Sequence, residues 1–398
     1  MHLAIVSPFP PAITGIGQYG YHITRALEKS GLFARVTVLA GSKSNGKPPN
    51  HLGTTEIEYC WAPGHFNARQ AIVSRVKELN PDLVWLNLGA SIFGKSPWLN
   101  LSGLLAPKLI HRLGYPTVIT LHELIELTNL RALNAPGGPL ASWGARFLTE
   151  IATQGDIVCL TMRHYVDWLS SRRPEACYLH IPHGAFDPPE ILPESEIPEL
   201  LFFSTLAPYK RLEILLEAFG ILKADYPALK LTVAGAEHIR YPNYVHQLKI
   251  EFKDLEGIQW LGEVQEDDLR GLFQRAQVVI LPYQASTGSS SVLVRAATWG
   301  RSVITSDLPE IQTFVREMGL DVTYFQQGKV SSLVNVLKTH LNSRENRSSQ
   351  AQHNLVAIQR NRLEVICQDY IHAFNLALKA SRSPKRITLL TQSQSELT

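Results

Sequence analysis

Residues 281–311 read LPYQASTGSSSVLVRAATWGRSVITSDLPEI. The apolar run Val278–Leu281 stops at Pro282, as a buried parallel strand does when it reaches the edge of its sheet. A loop of small and hydroxyl-bearing residues follows at 285–291, and apolar residues then recur at helical spacing until Gly300. We therefore predict a strand, a loop and a helix N-terminus, an arrangement that offers free backbone N–H groups to an anion.

The same alternation of strand and helix extends along most of the chain, which predicts βαβ units and parallel, doubly wound sheets. A length of 398 residues exceeds one ordinary core and favours two domains. Strands are predicted at 3–6, 36–39, 83–86, 117–121, 157–160 and 178–181, and in a second series at 201–203, 229–233, 258–261, 278–281 and 302–305.

A stretch rich in proline and acidic residues, 188–199, separates the two series and is predicted to be a linker. The N-terminal domain is then 1–187 and the C-terminal domain 200–353. A helix over 354–380 is expected to close the structure, and the polar tail at 381–398 to be loosely ordered. Two such domains meeting edge to edge are expected to face a central cleft at the C-terminal ends of both sheets.

Composition and charge are those of a globular protein without a nucleic-acid signature. A net charge of +3 is compatible with an anionic substrate or an anionic membrane surface. The four cysteines form no disulfide or metal-type spacing, so we expect a reducing cytoplasmic location. Residues 98–115 combine Trp98 and leucines with basic side chains; they suit either a helix packed on a sheet or a peripheral contact with the inner membrane face.

Residues 15–20 match the dinucleotide fingerprint GxGxxG but lack its context. The first glycine should follow the strand directly, whereas residues 8–14 intervene, and the second strand ends without the acidic residue that holds a ribose hydroxyl. We therefore exclude NAD and FAD. Gly15 and Gly17 still predict a place where backbone approaches a ligand at a helix N-terminus.

Three further features follow predicted strands. His122 comes directly after the strand at 117–121 and can exchange a proton or hold a sugar hydroxyl, although a histidine satisfied within a loop is an equal alternative. Lys210 and Arg211 are expected to open a helix, where cations are unfavourable unless an anion is bound. Together with the hydroxyl-rich loop at 287–291, they predict a cradle for a diphosphate.

In order along the chain, these segments resemble the retaining, nucleotide-sugar-dependent glycosyltransferases of group 1, also called family four, which have the GT-B fold. The match spans roughly residues 1–340 and is strongest across 201–310. FSTLAPYKRLEILLEAF matches the family's G-x-L-x-x-x-K-G-x-x-x-L-x-x-A, LTVAG its strand–glycine motif, and RAATWGRSVITSDLPEI its E-A-x-A-x-G-x-P-V-I segment. IQWLGEVQEDDLRGLFQRAQVVILPY matches as well, whereas PFPPAITGIGQYGYHITRAL and TLHE match more loosely.

The resemblance implies a hexosyltransferase-type enzyme with two Rossmann-like domains. It would move a sugar from a UDP-, GDP- or ADP-sugar to a polysaccharide, lipid-linked or small-molecule acceptor, with retention and without a metal or other cofactor. His122 falls on the family's histidine beside the transferred sugar, and Lys210 on its lysine that grips the diphosphate. The residues expected at the donor are Gly15, Gly17, Thr205, Lys210, Arg211, Gly235, Gly262, Val264, Thr287, Gly288, Ser289, Ser290, Ser291 and Arg295.

The chain departs from the family at its Glu-x7-Glu signature, whose two glutamates fall on Thr287 and Arg295. An arginine cannot accept hydrogen bonds from a ribose diol, so the donor is held differently or Arg295 faces elsewhere. The family's arginine before the lysine is Thr205 here, and Arg211 can supply that charge instead. The alternatives are a catalytically weak relative acting as a partner or scaffold, and an epimerase or phosphorylase of the same fold.

Overall fold

The computed structural model describes residues 1–11, 14–41, 50–133, 138–238 and 240–382. Most of the predicted tail at 381–398 therefore lies outside the described residues. Residue contacts divide the chain into two compact units. The first consists of 1–128, 137–182 and 363–398, and the second of 129–136 and 183–362.

The first unit is built on one eight-stranded sheet. Its strands are β1 (His2–Pro8), β2 (Arg35–Gly41), β3 (His51–Leu52), β4 (Thr55–Trp61), β5 (Leu83–Leu88), β6 (Thr117–Leu121), β7 (Ile157–Leu160) and β8 (Cys177–His180). The order is β3-β4-β2-β1-β5-β6-β7-β8, and β3 pairs antiparallel with β4 while the other neighbours are parallel. Every residue of β5, β6 and β7 is buried, as expected for strands covered on both faces.

The second unit is built on a six-stranded, wholly parallel sheet. Its strands are β9 (Glu199–Phe203), β10 (Lys230–Ala234), β11 (Ile258–Gly262), β12 (Val278–Leu281), β13 (Ser302–Ser306) and β14 (Thr323–Phe325). They lie in the order β11-β10-β9-β12-β13-β14.

Helices connect the strands of both sheets. They are α1 (Gly15–Lys29), α2 (Ala68–Leu79), α3 (Pro97–Leu104), α4 (Ala106–Arg112), α5 (Pro139–Ala152), α6 (Arg163–Arg172), α7 (Leu212–Lys223), α8 (Tyr244–Glu251), α9 (Leu269–Arg275), α10 (Ser291–Thr298), α11 (Pro309–Met318), α12 (Val330–Asn342), α13 (Arg344–Ile358) and α14 (Leu363–Arg382). Among these described helices, none combines the length and the apolar composition needed to cross a bilayer.

Each sheet has one point at which its strand order reverses. The chain moves outward from β1 through β2 to β4 and then returns to the opposite side of β1 with β5. In the second sheet it moves from β9 through β10 to β11 and returns beside β9 with β12. The connections diverge at such switch points and leave a crevice at the carboxyl ends of the strands, where open α/β sheets bind ligands. The candidate sites are therefore expected beside β1 and β5 and beside β9 and β12.

The predicted α/β fold with two doubly wound domains is confirmed, and β6, β7 and β12 have the predicted bounds. The strands β3, β4 and β14 were not predicted. The sequence of β4, TEIEYCW, carries two glutamates, because this strand lies next to the sheet edge and is only partly buried.

The structure differs from the prediction at the expected linker, 188–199. This segment packs against the second unit, and Leu192 is 2% exposed. The buried Arg301 donates a hydrogen bond to the carbonyl of Leu192, and Glu194 forms an ion pair of 2.9 Å with Arg347. The buried guanidinium groups of Arg301 and Arg347 thus hold this irregular segment in place. Its prolines keep the segment from forming a helix.

The structure also differs from the prediction at the closing helix expected over 354–380, because two helices occupy this part of the chain. α13 and α14 are separated by a turn at Gln359–Asn361, and α14 belongs to the first unit. There the hydroxyl of Tyr370 lies 2.9 Å from that of Tyr19 and 2.8 Å from that of Thr120. Residues 354–380 contain no glycine or proline, so nothing in the sequence marks the break.

Candidate active site

The crevice of the first unit is organised by Asn87, a buried residue near the end of β5. Its Nδ2 donates to Oγ of Ser7 at 2.9 Å and to the carbonyl of Ile16, in the first turn of α1, at 2.9 Å. Gly20 permits this close approach, because a Cβ atom there would lie 2.4 Å from Oγ of Ser7. One amide side chain thus holds the N-terminus of α1 against the switch point of the sheet.

His122 follows β6 and is 8% exposed. Its Nε2 lies 2.6 Å from Oδ1 of Asn87. Since Nδ2 of Asn87 is already a donor to two acceptors, Oδ1 is the accepting atom and the network assigns the proton to Nε2. The ring also packs edge-on against Tyr19, with 4.8 Å between centroids. The structure therefore orients the imidazole from two sides.

Gly15 and Gly17 lie in the first turn of α1. Thr14 caps this helix, and its Oγ1 accepts from the N–H of Gly17 at 3.0 Å. The N–H groups of Gly15 and Ile16 have no acceptor within the helix. This is the backbone arrangement that the sequence predicted for the approach of a ligand.

The crevice of the second unit brings Lys210 and Tyr283 together. Lys210 ends the single turn after β9, and Tyr283 follows the neighbouring strand β12. Nζ of Lys210 lies 3.6 Å from the centroid of the Tyr283 ring and 5.6 Å from that of Tyr209. The N–H of Gln284 donates to the carbonyl of Tyr209 at 2.8 Å, which joins the two loops. At this switch point the ammonium group of Lys210 therefore lies over the face of the Tyr283 ring.

Burial lowers the pKa of the Lys210 ammonium to about 7. The half-buried side chain has lost much of its hydration, and a ring face compensates a cation only in part. An anion bound at this position would restore the charged form and be held by it. A strongly perturbed titratable group in a crevice is a candidate for function.

Gly235 follows β10, and Gly262 ends the neighbouring strand β11. The two glycines are hydrogen-bonded to each other. The N–H of Gly235 donates to the carbonyl of Gly262 at 2.6 Å, and the N–H of Ser204 donates to the carbonyl of Ala234 at 3.1 Å. Val264 is half-buried two residues beyond Gly262. The loops at this edge are therefore linked through their backbones.

Replacing Gly235 with alanine is expected to lower the free energy of unfolding by about 2–3 kcal/mol. Gly235 has a φ of +128°, and a Cβ atom there would lie 1.7 Å from the carbonyl oxygen of Ser204. Gly262→Ala is the matched control: its φ is +67°, but no atom lies within 4 Å of the added carbon. That variant should lose only about 1 kcal/mol, from the left-handed backbone. Urea denaturation measures both, and equal losses would contradict the contact with Ser204.

The predicted hydroxyl-rich loop precedes α10, which begins at Ser291. Ser290 caps this helix, and its Oγ accepts from the N–H of Leu293 at 3.4 Å. Gly288 is buried with a φ of +63°, and Thr287 and Ser289 are half-buried like the two serines that follow. The loop follows β12, the strand that also carries Tyr283 at its end, so hydroxyl and N–H donors stand at the predicted edge of the sheet.

Arg211 and Thr205 complete the predicted cations and hydroxyls of this edge. Arg211 caps α7 with a φ of +51°, and its Nε lies 3.2 Å from Oε1 of Glu213. Glu213 also accepts from the hydroxyl of Tyr244 at 2.7 Å. Thr205 is exposed in the loop after β9. Because the charge of Arg211 already has a partner, Lys210 is the better placed of the two cations for a phosphate.

Arg295 has a partner that the sequence did not reveal. The side chain is buried on α10, and its Nη2 donates to Oε1 of Glu266 at 2.6 Å. Its guanidinium carbon lies 5.7 Å from the ring centroid of Phe186 and 5.9 Å from that of Trp299. Glu266 begins the short turn after β11. Arg295 is thus held by a carboxylate of a neighbouring loop and by two aromatic rings.

Three residues of these sites were missed from the sequence. Asn87 is the one polar side chain in the buried strand LVWLNL, which is a usable signal. Tyr283 was within the quoted stretch, but nothing distinguished it from a core tyrosine. Glu266 lies in an acidic run, and only its pairing with Arg295 singles it out.

Solved structures with two such parallel-sheet domains align with nearly the whole chain. Sucrose-phosphate synthase from Thermosynechococcus elongatus gives a TM-score of 0.74 at 15% identity, over 96% of this chain and 100% of that chain. HepE from Anabaena, in complex with UDP-glucose, gives 0.67 at 16% identity, over 94% and 99%. The trehalose-6-phosphate synthase OtsA gives 0.70 at 13% identity, over 94% and 99%. The chain therefore has the GT-B fold.

Residues 197–343 match the family model of glycosyl transferases group 1. This match over the C-terminal domain confirms the resemblance drawn from the sequence. The matched region contains Lys210, Tyr283 and Arg295, whereas Asn87 and His122 lie outside it. No protein in the curated collection matches the chain.

Proposed function

We propose that the protein transfers a hexose from a nucleoside diphosphate sugar to a polysaccharide, lipid-linked or small-molecule acceptor, with retention of configuration. The donors in question are UDP-, GDP- and ADP-sugars, and a solved structure of the same fold contains UDP-glucose. The family match of the C-terminal domain and the desolvated cation at its switch point both support this proposal.

The observation that carries the proposal is the position of Lys210. Its desolvated ammonium lies on Tyr283 at the switch point, where burial has lowered its pKa to about 7. Departure of a nucleoside diphosphate places negative charge on the leaving oxygen, and a preorganised cation there lowers the barrier. We assign Lys210 to the diphosphate, supported by the first turn of α10 with residues 287–291, and by Thr205 and Arg211.

Backbone groups of the second unit would hold the rest of the donor. We assign Gly235, Gly262 and Val264 to the nucleobase and ribose, because they lie at the carboxyl ends of the neighbouring strands β10 and β11. Arg295 would act on the donor through the carboxylate it holds, because its own guanidinium is engaged by Glu266.

The first unit would contribute its own switch point to the reaction. We assign His122 to the transferred sugar or the acceptor, because Asn87 and Tyr19 hold its ring in one orientation. Gly15 and Gly17 would approach the donor phosphates with the free N–H groups of α1.

A thermal-shift screen of UDP, GDP and ADP, followed by assays of donor consumption, tests the proposal. A nucleotide at about a hundred times its Kd adds about 2.7 kcal/mol of stability. One base should raise Tm clearly more than the others, and the anomeric configuration of the product reports retention. If none of the three stabilises the protein, the assignment of the second unit to a nucleotide-sugar is wrong.

A second function, that of a catalytically weak partner or scaffold, is favoured by one observation. Arg295 stands in an ion pair at the position where the resemblance places a glutamate. The two functions differ in outcome: a scaffold binds nucleotide without consuming any of the donors. A sugar-nucleotide epimerase of this fold would instead convert the donor without an acceptor product, and a phosphorylase would leave the donor intact and require inorganic phosphate and a glycoside.

Donor binding is expected to take up a proton above pH 7, because bound diphosphate should raise the lowered pKa of Lys210. Affinity for UDP-glucose should then fall by up to about tenfold per pH unit between pH 7 and the pKa in the complex. UDP-glucose is a suitable probe, since its diphosphate does not titrate in this range. Calorimetry in buffers of different ionisation enthalpy measures the proton uptake.

In Lys210→Met, this uptake should vanish while weak binding persists. The ligand-free protein gives an independent check. A lowered lysine pKa means that the unfolded chain binds the extra proton, so the free energy of unfolding should rise with pH between about 7 and 10.5. An affinity for UDP-glucose that is independent of pH would rule out Lys210 as its cation.

A further inference from the structure

Exposed aromatic side chains are concentrated in one region of the first unit. In the described part of the chain, the largely exposed phenylalanine and tryptophan residues are Phe66, Trp98, Trp143 and Phe147. Trp98 lies on α3, which contacts α5, the helix of Trp143 and Phe147. The carbonyl of Phe66 accepts a hydrogen bond from Ser102 of α3. We define the aromatic face as Phe66, Trp98, Leu140, Trp143 and Phe147.

One face of α5 exposes a stripe of apolar side chains to solvent. Leu140, Trp143 and Phe147 follow at spacings of three and four residues, and they are 88%, 68% and 45% exposed. The rings of Trp143 and Phe147 stack in parallel with 5.7 Å between centroids. Ala145 and Thr149, on other sides of the helix, are buried. Since a packing helix hides its large apolar side chains, this exposed stripe indicates a binding surface.

The basic side chains around the aromatic face are accompanied by carboxylates that already have partners. The carboxylates of this region are engaged: Glu123 accepts from a backbone N–H group, and Glu126 accepts from Thr149. Glu150, at the end of α5, pairs with Arg173 at 3.6 Å. The cations on or beside α3, α4 and α5, exposed or half-buried, are Lys95, Lys108, Arg112 and Arg146.

We propose that the aromatic face docks on an anionic membrane surface. Tryptophan and phenylalanine rings insert at the boundary between headgroups and acyl chains, and surrounding cations attract anionic headgroups. A second copy of this chain is a poor occupant, because a two-fold contact would bring the same cations together. The surface includes α5 together with Trp98, the first residue of the segment 98–115 that the sequence indicated. It does not depend on the proposed transfer reaction.

Co-sedimentation of the full chain with lipid vesicles tests this proposal. The protein should bind vesicles of phosphatidylcholine and phosphatidylglycerol, bind pure phosphatidylcholine much less, and dissociate as salt increases. The triple variant Leu140→Ser/Trp143→Ser/Phe147→Ser should lose at least about tenfold in partition. Its matched control, Ile221→Ser/Ile250→Ser/Val356→Ser, removes exposed apolar groups of the second unit and should bind as the wild type.

A charge variant keeps the proposal testable if the triple variant folds poorly. Lys108→Glu/Arg146→Glu leaves the apolar side chains in place and should weaken binding to the anionic vesicles alone. The proposal is overturned if the wild type ignores anionic vesicles or if the control loses as much partition as the face variant. It is also overturned if light scattering shows that the face variant dissociates an oligomer, since the face would then join copies of the chain.

Discussion

Replacing Lys210 with alanine is expected to lower kcat/KM for the donor at least about tenfold, and by about a hundredfold if the ammonium meets the charge of the departing diphosphate. The side chain is the cation that the fold carries to the switch point of the second sheet, 3.6 Å from the Tyr283 ring centroid. Arg211, the next residue, is less available to replace it because its guanidinium is paired with Glu213. Steady-state kinetics with the donor found in the thermal-shift screen measures the loss.

The loss in Lys210→Ala should be one of function and not of folding. Burial disfavours the ammonium in the free protein, as its lowered pKa shows, so its removal should leave Tm at neutral pH unchanged or higher. Lys253→Ala, which removes an exposed lysine of the same domain, is the matched control and should keep full activity. Turnover of Lys210→Ala at the wild-type rate would refute the diphosphate assignment.

Arg295→Glu is expected to lower the free energy of unfolding by about 3–5 kcal/mol, although it restores the residue that the family resemblance places there. The new carboxylate would replace a buried guanidinium whose Nη2 lies 2.6 Å from Glu266, and would face that glutamate with the same charge. Phe186 and Trp299 leave the pair little access to water. Urea denaturation monitored by tryptophan fluorescence measures the change.

An exposed ion pair of the same unit provides the control. Arg270 and Glu190 lie 2.8 Å apart with about half of each side chain exposed, so Arg270→Glu should cost less than about 1 kcal/mol. Removing both buried charges in Glu266→Leu/Arg295→Met should recover most of the stability lost in Arg295→Glu. If Arg295→Glu is as stable as Arg270→Glu, the pair with Glu266 does not hold the two loops together.

Much of the fold could be predicted because helix and strand leave short-range periodic signals. β7 and β12 are continuous apolar runs, and β6 consists of β-branched residues and one leucine. All three are bounded by polar or proline residues, and their bounds were correct. The break between α13 and α14 could not be predicted, since no glycine or proline marks it. The position of the break is set by tertiary contacts, because α14 returns to the first unit and its Tyr370 contacts Tyr19 and Thr120.

The candidate site, like the fold, could be predicted only in part from the sequence. The sequence by itself determined which loops carry it, because the residues after each parallel strand necessarily reach one edge of a sheet. It also identified Lys210 as the candidate cation and Arg295 as a departure from the family's Glu-x7-Glu signature. Only the tertiary structure decided the partners: Tyr283 under Lys210, Asn87 beside His122, and Glu266 against Arg295. The reason is physical, since strand order and burial bring together residues that are distant in sequence, and those neighbours set the charge and orientation of each group.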